Sequence, residues 1–167
     1  MSGFTAAGIN TALVTTTQQA PLGFELTVPN GDYGNQVWVY IKNVDDGPTA
    51  LAEGNPVMTL DASDSTRAEY YQVQICPTGR HSAKKVVGVA QHTIAVNSYG
   101  FVLKSGKGSV LGGATTDSGL SLMTDTGTLG EVIALDSTGG QNDACIGVSL
   151  GDLADATVGS AIISCGV

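Results

Sequence analysis

Charged side chains are what this sequence has least of. Asp, Glu, Lys and Arg make up 13% of its 167 residues, about half the share of an ordinary soluble domain. Such side chains normally clothe exposed helices, so their scarcity argues against a helical protein. The seven basic residues face fifteen acidic ones, for a net charge of −8. Only Lys84–Lys85 and Lys104/Lys107 lie close together among them. Nucleic-acid binding draws its affinity from Lys and Arg that displace phosphate counterions, so no nucleic-acid partner is expected. No apolar run approaches the roughly 18 residues that a membrane helix needs, so no membrane partner is expected either. The first residues, MSGFTAAGIN, carry no basic stretch and no continuous apolar stretch, and no targeting segment is expected.

The chemistry-bearing residues are sparse as well. Three cysteines, Cys76, Cys145 and Cys165, are odd in number and widely spaced, which gives neither a disulfide framework nor a metal-binding pair. They read as buried, reduced thiols of a protein made in a cytoplasm. The two histidines, His81 and His92, have no close metal-ligating neighbour, and no G-x-S-x-G nucleophile elbow is present. The acidic clusters Asp45-Asp46-Gly47, Asp61/Asp64 and Asp117/Asp125 do not follow the calcium-loop pattern. Nine aromatic residues (one Trp, five Tyr, three Phe) are few for a sugar-cleaving groove. No catalytic, cofactor-binding or metal-binding residue is assigned, no cofactor is expected, and the chain reads as a non-enzyme.

One stretch resembles a phosphate-binding loop. GFVLKSGKGSVL, Gly100–Leu111, places Gly-Lys after an apolar run. A P-loop requires G-x-x-x-x-G-K-[ST] before a helix. Here the glycine spacing is one residue too long, Gly108 stands where the hydroxyl should be, and the following SVLGGATTDSG is a poor helix former. The stretch reads instead as a β-hairpin whose glycines supply the turn, with Lys107 solvated at its tip.

What is abundant points to strands and turns. There are 23 glycines, and short β-branched runs alternate with turn residues. Candidate strands are 22–28, 36–44 (QVWVYIKNV), 56–60, 69–76, 85–91, 94–96, 100–104, 109–111, 120–123, 131–135, 144–150 and 160–165, with one helical turn at 49–53. No segment carries a three-turn amphipathic helix. The expected fold is all-β: a small barrel or sandwich of about ten short, mainly antiparallel strands. Residues 1–20 read as an extended N-terminal arm and 21–167 as a single β domain. Val87-Gly88-Val89-Ala90 and Ile146-Gly147-Val148-Ser149 share a pattern. It is either coincidence in a glycine-rich chain or the mark of two related β-units closing one barrel, and a glycine within a strand marks a bulge or a close backbone approach.

Val86–Gln91 (VVGVAQ), Ile94, Tyr99–Val102 (YGFV), Gly119–Leu122 (GLSL) and Ile146–Leu150 (IGVSL), with Leu51–Val57 (LAEGNPV) upstream, resemble the capsid decoration (cement) proteins of tailed bacteriophages. The resemblance covers roughly 51–164 and leaves the arm unmatched. It implies a virion protein on the capsid exterior, made in the host bacterial cytoplasm. Its partner would be the major capsid protein, and it would act as a homo-oligomer, dimer or trimer, with no catalytic residues to carry over. The alternative is a phage tail, neck or fibre component that recognises the host through Tyr70, Tyr71 and Trp38. A small β-barrel hydrolase using His81 or His92 is the remaining reading.

Overall fold

QVWVYIKN makes up the last eight residues of a nine-residue strand with both faces in contact with protein, as its VWVYI run of β-branched and aromatic residues suggests. The structure is a computed structural model that describes residues 5–6, 8–45, 49–60, 70–78, 85–135 and 145–165. Its strands are β1 (Thr5–Ala6), β2 (Ile9–Asn10), β3 (Glu25–Pro29), β4 (Asn35–Asn43), β5 (Pro56–Thr59), β6 (Gln72–Ile75), β7 (Val86–Val89), β8 (Tyr99–Gly112), β9 (Ser121–Thr124), β10 (Val132–Ala134), β11 (Gly147–Ser149) and β12 (Thr157–Ser164). A 3-10 turn, Gly31–Tyr33, links β3 to β4. The protein is all-β, with short and mainly antiparallel strands. β4–β6 and β8–β10 are the parallel pairs among them.

β1 and β2 pair with each other, and the other strands form one 10-stranded sheet. Its pairings return on themselves twice. One circuit runs β8–β7–β5–β6–β4 and back to β8, with β3 added on β4. The other runs β8–β12–β11–β9–β10 and back to β8. The first half of β8 belongs to one circuit and the second half to the other.

The two circuits share a register, apart from irregularities at Val37/Trp38 and Val57/Met58 in the first. Val57↔Gly88 and Thr59↔Val73 in the first match Leu122↔Gly147 and Thr124↔Val132 in the second. Val89↔Leu103 matches Val148↔Ile162, and Tyr40↔Phe101 matches Ser109↔Ser160. The isolated bridges Leu51↔Ile94 and Thr116↔Leu153 also correspond, as do the left-handed residues Asn97 (φ 60°) and Ala156 (φ 52°). The chain is thus two copies of one β-unit that share a strand. The echo around Gly88 and Gly147 comes from equivalent strands, each in its own circuit rather than in one barrel. A Cβ on Gly88 would lie 2.8 Å from the Leu103 carbonyl oxygen, and one on Gly147 would lie 2.4 Å from that of Ile162. Each glycine lets a neighbouring backbone approach at the same place.

Each circuit has its own apolar filling. Val39, Ile41, Leu51, Val57, Val73, Val87, Ile94 and Val102 fill the first. Their counterparts Val110, Leu122, Val132, Ile146, Leu153 and Ala161 fill the second. Fully burying one such aliphatic side chain contributes about 1.5–3 kcal/mol.

Two local expectations are corrected. Gly100–Leu111 is no hairpin: Tyr99–Gly112 is one continuous 14-residue strand. Its glycines serve a bend instead of a reversal. Gly106 has φ 108°, and a Cβ there would meet the Asn35 carbonyl oxygen at 2.7 Å. Pairing with β4 on one half and β12 on the other holds the chain extended through the bend. Residues 49–53 form the bridge at Leu51 and lead into a turn closed by the Asn55 N–H donating to the Ala52 carbonyl (3.2 Å), not a helical turn.

The N-terminal segment lies along the first unit. Thr15 and Tyr99 exchange backbone hydrogen bonds of 3.0 and 2.8 Å. The Gln19 N–H donates to the Tyr40 hydroxyl at 3.0 Å. Phe24 meets Phe101 edge-on at 6.4 Å.

Candidate functional site

Where they are described, the histidine and the carboxylates that the sequence offers for chemistry fall on different loops. His81, Asp46, Gly47, Asp61 and Asp64 lie outside the described residues. His92 follows β7 and is half-buried, and its Nε2 has no hydrogen-bond partner. Burial pushes the imidazole below its ordinary value, and Glu53 pulls it partly back. No described cysteine or carboxylate groups with it into a metal-holding set. Asp125 is set beside Glu131, since a Cβ on Gly113 would touch carboxylate oxygens of both. Burial raises the Glu131 carboxyl, followed by the charges of Asp155 and Asp125, and a Thr128 hydrogen bond opposes them. Asp117 is used differently: its carbonyl accepts the Ser149 hydroxyl at 2.9 Å.

The thiols converge more than their spacing suggests. Cys165 is buried on the strand end, and its thiol is pushed up to about 12 by burial and by Cys145, with Lys104 opposing. Burial and then Cys165 raise the Cys76 thiol well above its ordinary value. Cys145 is only half-buried, and its sulfur lies 3.4 Å from the Gly147 carbonyl. All three are free. The two fully buried ones are kept as neutral thiols, which are poor nucleophiles.

Of the aromatic residues proposed for host recognition, Trp38 is buried, and Tyr70 and Tyr71 are half-buried. Trp38 is 4% exposed, and its indole N–H donates to Gln36 Oε1 at 3.3 Å. Tyr70 and Tyr71 meet edge-on at 5.1 Å and pack against the first unit's interior. The Tyr70 hydroxyl is raised by burial, then by Tyr71 and Cys165. A Cβ on Gly23 would strike the Tyr71 ring, so the N-terminal segment closes over that ring.

Lys107 is not a loop tip. Its ammonium lies 3.6 Å from the centre of the Tyr33 ring, a cation–π contact that spans the 3-10 turn and β8. The pair borders a half-open crevice of about 240 Å³ that also involves Asn30, Gln36, Ser109 and Ser160. Gln36 Nε2 donates to the Lys107 carbonyl at 2.7 Å and fixes one wall. A second crevice, of about 230 Å³, is apolar and lies between the N-terminal segment (Ile9, Leu13, Ala20) and Tyr40, Phe24 and Phe101.

The third feature was not visible from sequence reasoning and emerges from the repeat. Val148, Leu150 and Val158 are exposed, with Leu120 beside them. Val148 faces Ser121 on one side and Ile162 on the other, so these side chains share the outward face of the second unit. Counting from the Gly88/Gly147 echo would have located this face, because it sets Leu150 at the place that Gln91 holds in the first unit.

No protein-family model matches the sequence, and no curated protein matches it. Among solved structures, the chain is similar to the head fiber gp8.5 N base of bacteriophage phi29. The identity is 12%, over 77% of this chain and 94% of that one, with a TM-score of 0.49.

Proposed function

We propose that this chain is a structural protein of a tailed-phage virion, a capsid decoration protein that binds the outer surface of the major capsid shell. One observation carries the reading. The residues behind the resemblance, VVGVAQ, YGFV, GLSL and IGVSL, fall on β7, the start of β8, β9 and β11, the strands that recur in the two units. The resemblance is therefore built on the framework itself and not on scattered short matches. The chain acts without catalysis, cofactor, nucleic acid or membrane, as a homo-oligomer on the shell. Bound subunits hold neighbouring capsid proteins together, and ligation of the assembled state raises its stability by mass action.

The test is a comparison of particles with and without the protein. Particles lacking it should release their contents at lower temperature and after milder osmotic shock, and labelled protein should cover the shell in many copies. Unchanged stability would overturn the reading. The alternative, a tail, neck or fibre component, draws its support from the polar crevice at Tyr33 and Lys107. It predicts a few copies at one site of the particle.

A further inference from the structure

We propose that the outward face of the second unit, formed by Val148, Leu150, Val158 and Ile162 with Leu120 at its rim, is the docking surface for a second copy of this chain. The argument comes from what the same positions do in the first unit. Val148, Ile162, Leu150 and Leu120 correspond in register to Val89, Leu103, Gln91 and Asn55.

In the first unit those positions grip the second. Val89 and Leu103 are 0% exposed, and a Cβ on Gly108 would strike the Leu103 side chain. Gln91 clamps Ser109 twice: its Oε1 accepts the Ser109 N–H (2.7 Å) and its Nε2 donates to the Ser109 carbonyl (2.9 Å). Gly54 accepts the Leu111 N–H at 3.0 Å. Asn55 Nδ2 donates to the Gly130 carbonyl at 2.8 Å. This face of a unit is therefore already an interface in this molecule, and what it holds is another unit of the same kind.

On the second unit the face recurs largely uncovered, with the Tyr33–Lys107 pair standing at its edge beside Ser160. Val148 is 38% exposed, Leu150 41%, Leu120 44% and Val158 49%. The second unit carries leucines, Leu120 and Leu150, where the first unit has Asn55 and Gln91. Grouped exposed aliphatics of this kind mark interaction sites.

The choice of occupant follows from kinship and charge. The face's counterpart binds a β-unit of this chain, and a second copy offers such units. The chain carries a net charge of −8, so two copies repel wherever their acidic groups meet. Leu120, Ser121, Val148, Leu150, Val158, Ser160 and Ile162 include no charged side chain, and the charged neighbour opposite Ile162, Lys107, is basic, so this is a face on which acidic copies can approach. A basic partner would find no acidic group among these residues to pair with.

The assignment rests on the register of the two units and not on the virion reading. Sedimentation of the full chain over a concentration series tests it. The wild-type chain should associate. Val148→Asp and Leu150→Asp should each weaken association by at least about 30-fold, the scale of a central interface residue. Leu60→Asp, at an exposed leucine that follows β5 in the first unit, should leave it unchanged. Leu150→Ser, a milder change at an exposed site, guards against misfolding and should also weaken association. A wild-type chain that stays monomeric, or association indifferent to Val148→Asp and Leu150→Ser, would overturn the proposal. A chain that associates through this face but is absent from virions would retire the virion reading and leave this one standing.

Discussion

Leu103 and Ile162 hold the same place in the two units, the first opposite Trp38 and the second opposite Lys107. Leu103 is fully buried, whereas Ile162 is only partly covered. Around Leu103 the face is Tyr40, Phe101 and Val89; around Ile162 it is Ser109, Ser160 and Val148. The backbone plan is common to both, and the difference lies in what has been laid on top. The first unit is covered by the N-terminal segment and by the second unit itself, and β3 extends its sheet beside β4. A duplicated unit thus keeps its interior and registers while its outer face is free to diverge.

Paired substitutions test that contrast. The largest expected effect is Leu103→Ala, which should cost about 2–5 kcal/mol as a core truncation. Ile162→Ala, at the equivalent position, should cost less, about 1 kcal/mol, because a half-covered side chain leaves little cavity. Urea denaturation of the two variants checks this, and equal losses would break the comparison.

Gly88→Ala and Gly147→Ala should behave alike, each losing about 1–3 kcal/mol, since the added methyl meets a neighbouring strand's carbonyl in both units. A loss in only one unit would show that the shared register does not create a shared constraint. Next comes the interface between units. Gln91→Ala removes the double clamp on Ser109 and should cost about 1–3 kcal/mol through the unsatisfied backbone groups. Leu150→Ala, its counterpart, should stay within about 0.5 kcal/mol at concentrations where the chain is dilute.

The smallest effect is a pH slope. His92 in the first unit corresponds to Gly151 in the second, so only one unit titrates here. The native imidazole sits below the ordinary value of 6.5 because burial disfavours its charged form. As pH falls below about 6.5, the unfolded chain binds a proton that the native chain still refuses, so this group's contribution is lost. It is fully present above that pH. Thermal melts of wild type should therefore fall between pH 7 and about 5 more steeply than those of His92→Gln.

The sequence disclosed the fold class because β-branched runs and glycine punctuation are local signals. It also disclosed the repeat in outline: Gly88 and Gly147 were readable as bulges or close approaches, and the second reading holds for both. The bend in β8 was not legible. A glycine pair in a hairpin and a glycine pair in a bent strand look the same over ten residues. Only the distant partners β4 and β12 decide between them. The same limit hid the burial of Trp38, which belongs to a cluster shared with the second unit. It also hid the exposure of Leu150, which lies in an apolar run indistinguishable from core. Burial of a strand's second face is a property of its neighbours, not of its own letters.

The shared strand has a mechanical consequence. Most tandem units are joined by a linker, and a load on one reaches the next through a side-chain contact that can peel apart. Here Tyr99–Gly112 runs through both, so tension applied to one unit passes to the other along covalent bonds. It then meets the β4 ladder on one half and the β12 ladder on the other, both aligned with the strand and loaded in shear. A pull along this strand must break both ladders together, so the two units should yield in one event.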